Sequence, residues 1–232
     1  MGGLAGDALT TGDYNIAIGY NALTAEDTGN RNTAVGYKSL EALNYDGDGL
    51  NTGIGYAAGQ AMTTGTQNTI IGGHAGDALT DGNTNVAVGA YALSAETRGD
   101  RNVAVGRQAL ASQNNTSDTD VYNVAVGYNA GLSVSTGTQN TIVGGIAGDA
   151  LTTGTNNVAM GYGALGSEDT GGQNVAIGVN ALNTANYDGN GLNVAVGYGA
   201  GAAVTTGVDN VFIGGGAGDA VTTGGRNVAI GR

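Results

Sequence analysis

Apolar and polar positions alternate in a short pattern that returns thirteen times along the chain. Each copy is a pentad of Asn, an apolar residue or Thr, a third residue that is most often Ala, a second apolar residue, and Gly. Alternation of this kind with β-branched residues is typical of strands rather than helices. The pentads begin at Asn15, Asn32, Asn51, Asn68, Asn85, Asn102, Asn123, Asn140, Asn157, Asn174, Asn193, Asn210 and Asn227.

The spacing of the pentads predicts the architecture. Successive asparagines are 17 residues apart, except for steps of 19, 21 and 19 residues after Asn32, Asn102 and Asn174. A unit this short has room for two or three strands and their turns, and stacking such units in parallel register pairs their backbone groups. We therefore predict an all-β chain, a parallel β-solenoid of about 13 coils with a 17-residue repeat.

The lengthened steps recur every fourth coil, so four coils form a super-repeat, numbered first to fourth below. We predict a single repeat domain over residues 1–232. It consists of a partial coil 1–14, super-repeats 15–84, 85–156 and 157–226, and a terminal strand 227–232.

Two positions in each coil exchange a large apolar side chain. Eight residues after the pentad Asn, first and second coils carry Leu23, Leu40, Leu93, Leu110, Leu165 and Leu182, and the other coils carry Gly. Three residues further on, third and fourth coils carry Met62, Leu79, Val134, Leu151, Val204 and Val221, whereas first coils carry Glu26, Glu96 and Glu168. Close packing requires a nearly constant volume per layer, so both positions are expected to face the core when apolar.

The middle residue of the pentad predicts a contact between chains. It is Ala or Gly in first, second and third coils, but Ile70, Ile142 and Phe212 in the fourth. By alternation it should point away from the core residues, so we expect these three side chains at a trimer interface.

Turn residues occupy two further fixed positions. Gly lies three residues before the pentad Asn in ten coils, and Asp48, Asp120 and Asn190 take its place in the others. These residue types tolerate positive φ, so a left-handed corner is expected there. The pentad Asn is expected at another corner, bonded to local backbone or to the neighbouring Asn.

Composition excludes several classes of partner. The net charge is −12 and only seven residues are Lys or Arg, so neither nucleic acid nor an anionic membrane surface is an expected partner. The chain has no Cys and therefore no disulfide. It has no apolar run of membrane-spanning length, and its opening Met1–Leu4 does not resemble a signal peptide.

No catalytic constellation is apparent, and we expect neither an enzyme nor a cofactor. The single His, His74, is replaced by Leu4, Ile146 and Gly216 in equivalent coils. The lengthened second coils contain Asp46–Asp48 and Asp188–Asn190, which either form inserted turns or open a Ca²⁺ loop. Because a third ligand and a distal Glu are missing, the turn is preferred and no metal is expected.

The pentads Asn32–Gly36, Asn102–Gly106 and Asn174–Gly178 resemble the repeat of YadA-like heads of trimeric autotransporter adhesins. Similar repeats occur in phage tail-fibre proteins. The resemblance covers nearly the whole chain and implies a left-handed β-roll, a side-by-side homotrimer and display on a bacterial cell surface or virion. It also implies attachment to a host or matrix surface, through a protein or a glycan. The unit here is longer than the typical family coil, and no neck, stalk or membrane anchor is recognised.

Two other functions remain open at this stage. Thr-Thr-Gly recurs at Thr11, Thr64, Thr153, Thr206 and Thr223, which would suit an ice- or crystal-surface binder, although Asp81 and Arg98 interrupt the row. A polysaccharide-active β-helix comes third, because the acids Asp7, Asp77, Asp149 and Asp219 recur with the super-repeat instead of forming one cluster.

Overall fold

The computed structural model describes residues 2–232, and regular structure within them is entirely β. The chain forms two compact units, Met1–Val121 and Tyr122–Arg232. Each unit is a parallel β-solenoid in which every coil contributes one three-residue strand, so the predicted fold class of about 13 coils is confirmed. The prediction that the chain is one domain stays a prediction.

The strands coincide with the central three residues of the pentads. In the first unit they are β1 (Ile16–Ile18), β2 (Thr33–Val35), β3 (Thr52–Ile54), β4 (Thr69–Ile71), β5 (Val86–Val88) and β7 (Val103–Val105), with two short strands, β6 (Gly99–Asp100) and β8 (Thr119–Asp120). In the second unit they are β9 (Val124–Val126), β10 (Thr141–Val143), β11 (Val158–Met160), β12 (Val175–Ile177), β13 (Val194–Val196), β14 (Val211–Ile213) and β15 (Val228–Ile230).

The strands pair in parallel with equivalent residues side by side. Ala17 of β1 is opposite Ala34 of β2, and Ala176 of β12 is opposite Ala195 of β13. The register is the same across the 19-residue steps, since Thr33 pairs with Thr52. The lengthened coils also form backbone contacts away from this sheet: β6 pairs with β8, and isolated parallel bridges join Asn30 to Asp48 and Gly172 to Asn190.

The pentad asparagines form a buried ladder at one corner, as the sequence predicted. The backbone N–H of Asn85 donates to Oδ1 of Asn68 at 2.9 Å, and the side-chain amide of Asn85 donates to the carbonyl oxygen of Gly99 at 2.9 Å. The same pair of contacts recurs at Asn140 and at Asn210. Each asparagine therefore satisfies buried backbone groups of two coils at once.

The glycine three residues before each pentad Asn does not have the predicted left-handed conformation. It is absent from the residues with positive φ, and so are Asp48, Asp120 and Asn190 at the same position. Gly is needed there for space, because a Cβ on Gly65 would lie 2.6 Å from the carbonyl oxygen of Gly82 in the next coil. The left-handed residue is instead the one directly before the pentad Asn, such as Gln67 at φ 59°.

The exchange of large side chains between two core positions is confirmed. The six leucines and Met62, Leu79, Val134, Leu151 and Val204 have no exposed surface, and Val221 is half-buried. The small residue one position before each leucine, such as Ala22 or Ala92, is also buried inside its own chain.

The predicted placement of Ile70, Ile142 and Phe212 at a trimer interface is wrong. All three side chains are fully buried, as is the Ala at the same position in β2, β5, β7, β9, β11, β12 and β13. They fill the space that Gly leaves eight residues after the pentad Asn: a Cβ on Gly76 would lie 3.1 Å from Cδ1 of Ile70, and one on Gly201 would lie 2.8 Å from Cδ2 of Phe212. Hence the middle pentad residue points inward. In fourth coils it is large because it fills the space of the missing leucine in the core.

We expect Phe212→Ala to destabilise the second unit without changing the state of assembly. Removing a fully buried ring should cost about 3–5 kcal/mol of unfolding free energy, since two glycine-lined spaces are left empty. Phe212→Leu keeps most of the volume and should cost less than about 1.5 kcal/mol. Urea unfolding and native mass spectrometry of both variants provide the test, and a changed mass with unchanged stability would restore the interface assignment.

Candidate binding surfaces

The outer face of the strands is apolar and lacks a covering layer within each unit. Because the middle pentad residue points inward, the second and fourth residues point outward, and they are Val, Ile, Met or Thr throughout. Ile54 is 37% exposed and Met160 is 39% exposed, although both lie in the interior of their sheets. Each unit therefore presents two adjacent columns of β-branched or apolar side chains.

The inserted residues of the lengthened coils are held by contacts within the chain. Asp48 forms an ion pair with Arg31, and Asp46 accepts a hydrogen bond from the hydroxyl of Thr28. Asp118 pairs with Arg98 at 3.0 Å, and Asp188 accepts from Thr170 at 3.3 Å. Over residues 2–232, no group of three or more His, Cys, Asp or Glu residues is arranged to hold a metal ion. These contacts are those of inserted turns.

Three buried glutamates lie beneath these insertions, and the sequence analysis did not recognise their role. Glu26, Glu96 and Glu168 have no exposed surface and accept backbone N–H groups of Gly29, Gly99 and Gly171 at 2.7, 2.8 and 2.7 Å. Each also binds the following lengthened coil. Two features of the sequence could have identified them. They align with the core residues Met62 and Leu79, and each lies one coil before a lengthened coil.

Different side chains fill the corner around each of the three glutamates. In the middle super-repeat, Gln113 and Asn115 donate to Glu96 at 2.8 and 3.0 Å. In the last, Ala185 leaves room for the ring of Tyr187, whose hydroxyl donates to Asn174 and accepts from Asn193 at 3.2 Å. In the first, buried Leu43 replaces Ala185, and the equivalent Tyr45 is only half-buried.

Burial changes the pKa values of two groups in the last super-repeat, Glu168 and Tyr187. Burial raises the pKa of the Glu168 carboxyl, although the backbone N–H groups of Gly171, Tyr187 and Asp169 oppose this shift. Burial also raises the pKa of the Tyr187 phenol above its ordinary value. Both groups therefore favour their neutral forms more strongly in the folded chain than in water.

A row of aromatic side chains follows the outer edge of the strands. In the first unit Tyr20, Tyr37, Tyr56, His74 and Tyr91 form a continuous stack, with ring centroids 5.6, 5.0, 5.1 and 5.2 Å apart. Nδ1 of His74 lies 2.8 Å from Asp77, so the single histidine belongs to this stack and contacts one carboxyl group. The second unit has its own row, Tyr128, Tyr162 and Tyr198, each directly after a pentad Gly, with Gly145 and Val179 at the equivalent position in the coils between them.

An acidic network borders the stack of the first unit. Glu41 accepts hydrogen bonds from Asn21 and Gln60 at 2.9 and 2.8 Å and pairs with Lys38 at 3.1 Å. Burial works to raise the pKa of Glu41, but these three donors outweigh it and the pKa is lowered. The hydrogen bond to Glu41 correspondingly raises the pKa of Lys38.

The two residues of a threonine pair differ in their contacts. The first Thr donates to a backbone carbonyl of the next coil, as Thr63 does to Thr80 at 3.2 Å and Thr152 does to Asp169 at 2.9 Å, whereas the second Thr, such as Thr64 or Thr153, is exposed. Among the described residues, no helix is long and apolar enough to cross a membrane.

Comparison with known proteins identifies no relative. No family model, curated protein or solved structure matches the chain.

We expect Glu168→Gln to become increasingly favourable relative to the wild type as pH rises. The folded-state pKa of Glu168 lies above the ordinary value of 4.5, so the folded chain binds the proton more tightly than the unfolded chain. Its contribution to stability is present below that ordinary value and is lost as pH rises through the raised pKa. Gln cannot titrate, so the melting temperature of the variant minus that of the wild type should increase from about pH 4 to about pH 8.

Asp209→Asn, at another corner of the same unit, serves as the control for removing one negative charge. A difference in melting temperature between Glu168→Gln and wild type that stays constant or decreases with pH would contradict the expectation.

Proposed function

We propose that this chain is a surface attachment module, an adhesin head or fibre shaft that works as a side-by-side homotrimer of left-handed β-rolls outside the bacterial cell or on a virion. The observation that carries the proposal is the uncovered apolar face of the strands. Monomeric soluble proteins rarely expose continuous apolar patches of this kind, and larger ones mark interfaces. The resemblance of the pentads to those of YadA-like heads supports the same assignment.

Association through the outer face replaces the interface expected from Ile70, Ile142 and Phe212. Two columns of Val, Ile, Met and Thr run along the sheet of each unit, and burying them against a second copy yields about 25 cal/mol per Å² of apolar area. The face is regular and carries no charge at its second and fourth pentad positions, as obligate interfaces between identical chains require.

Attachment is preferred to the two alternatives on the basis of the repeat. An ice-binding row needs an uninterrupted array of hydroxyls that face the solvent, whereas Asp81 and Arg98 interrupt the row of exposed threonines. A polysaccharide-cleaving enzyme needs acids in one cluster, whereas Asp7, Asp77, Asp149 and Asp219 recur once per super-repeat. A rigid array of repeated surface groups suits weak contacts multiplied by avidity.

Charges on the outer face should prevent association. We expect the double variant Ile54→Asp and Met160→Asp, with one change in each unit, to convert a trimer into monomers, because each carboxylate would be buried unpaired. The matched control is Leu50→Asp and Leu192→Asp, which places the same charges at corners of the coil where the leucines are 48% and 50% exposed. Native mass spectrometry at micromolar concentration decides: a monomeric wild type, or a double variant that remains trimeric, would refute the assembly.

Attachment itself is tested with the whole protein coupled to fluorescent microspheres. We expect these microspheres to be retained, above albumin-coated ones, on at least one of a panel of surfaces: collagen, fibronectin, chitin, cellulose and cultured cells. Multivalent display is used because single contacts are expected to be weak. Retention on none of these surfaces would argue against an attachment function.

A further inference from the structure

The tyrosines of the aromatic row differ between the two units in what they contact. In the first unit each ring contacts another ring, and such pairs add to the stability of the chain. In the second unit Tyr162 and Tyr198 have no ring partner among residues 2–232, and they are 59% and 71% exposed. Stacking within the chain therefore explains the tyrosines of the first unit but not Tyr162 and Tyr198.

The ring of Tyr162 lies next to a glycine of the preceding coil. The equivalent residue there is Gly145, and a Cβ on it would lie 3.5 and 3.8 Å from Cδ2 and Cε2 of the ring. Because Gly145 has no side chain to cover the ring, Tyr162 is 59% exposed. An exposed tyrosine ring contributes a large contact area at low cost in conformational entropy.

Side-chain amides lie immediately beside this ring. A Cβ on Gly163, the residue after Tyr162, would lie 2.8 Å from Oδ1 of Asn180 and 3.4 Å from Nδ2 of Asn183, so both amides cover that glycine. The side-chain amide of Asn183 donates one hydrogen bond to the carbonyl oxygen of Gly163 at 2.9 Å. The side-chain amide of Asn180 donates no hydrogen bond within residues 2–232. An aromatic face next to carboxamides matches a sugar ring, which has an apolar C–H face and a rim of hydroxyls.

The recurrence of a tyrosine at this position in every second coil points to a polymer. Tyr162 and Tyr198 lie two coils apart in the second unit, about 10 Å at the usual strand spacing. Tyr128 lies two coils before Tyr162 in the same row. Straight rows of rings at a constant interval suit an extended polysaccharide that repeats its orientation every second sugar, and each ring adds a weak contact to the next.

The charge of this unit decides which polysaccharide can bind. Residues 122–225 contain no Lys or Arg, whereas the same stretch holds Asp149, Glu168, Asp169, Asp188, Asp209 and Asp219. The two cations of the unit, Arg226 and Arg232, are outnumbered by these six acids, so a polyanion such as a sulfated glycan or a nucleic acid would be repelled. An uncharged chain meets no such barrier.

From these observations we propose that the row Tyr128, Tyr162 and Tyr198, with Asn180 and Asn183, is a binding surface for an extended, uncharged β-1,4-linked polysaccharide. Tyr162 and Tyr198 stack on the C–H faces of alternate sugars, and the two asparagines hydrogen-bond their hydroxyls. The inference rests on the proposed attachment function and names the class of ligand for it.

The test is a sedimentation assay of the full chain with chitin and with microcrystalline cellulose, and heparin-agarose serves as the polyanion. The wild type should bind chitin, cellulose or both and should not bind heparin-agarose. The double variant Tyr162→Ala and Tyr198→Ala should bind the same polysaccharide about tenfold more weakly or worse, with unchanged melting temperature and native mass. Tyr14→Ala, at an exposed tyrosine of a different corner, should bind like the wild type.

Each contrary result identifies a different error. Absence of wild-type binding to both chitin and cellulose overturns the ligand class, and the proposed function survives if the microspheres are still retained on another surface. Equal binding by the double variant overturns the row as the site. A changed native mass in the double variant overturns the proposal in favour of a contact between copies of the chain.

Discussion

The close approach of one coil to the next constrains every other feature of this structure. The pentad Asn links the coils, because its Oδ1 accepts the backbone N–H of the following Asn and its amide donates to a carbonyl one coil further on. The backbones approach so closely at the corner that a Cβ on Gly65 would lie 2.6 Å from a carbonyl oxygen. The stacking of coils therefore accounts for the Asn present in every coil and for the Gly that occupies this corner in ten of the thirteen.

The width of the coil sets the second constraint, which is a limited interior volume. A narrow coil holds one or two large side chains and several alanines, and where Gly replaces a leucine another large side chain occupies the space. Met62 and Leu79 do this at one corner, and Ile70 and Phe212 do it from the strand. The corners beneath the buried glutamates are filled in different ways, since Ala185 and the buried Tyr187 stand where the first super-repeat has Leu43 and the half-buried Tyr45.

The sequence predicts the coil number, the parallel register and the buried Leu and Met positions, because all of these depend on period and volume. It predicts the wrong face for Ile70, Ile142 and Phe212, since a pattern of two large residues around a small one normally places the large ones inside. Here the interior admits only Ala beside the leucines, so the β-branched residues lie outside. Burial of Glu96 was likewise hidden, because a charged residue is expected at the surface unless its partners are known.

These constraints confine recognition to a few positions. Interior positions vary only within the limits of the available volume, whereas the outer edge of the strands varies more freely. The residue after the pentad Gly is Tyr37 or Tyr56 in some coils and Gly145, Arg107 or Val179 in others. A change there alters the outer surface while the ladder beneath it remains the same. A solenoid of this type can therefore build a surface from one residue per coil. The spacing of these residues is set by the spacing of the coils.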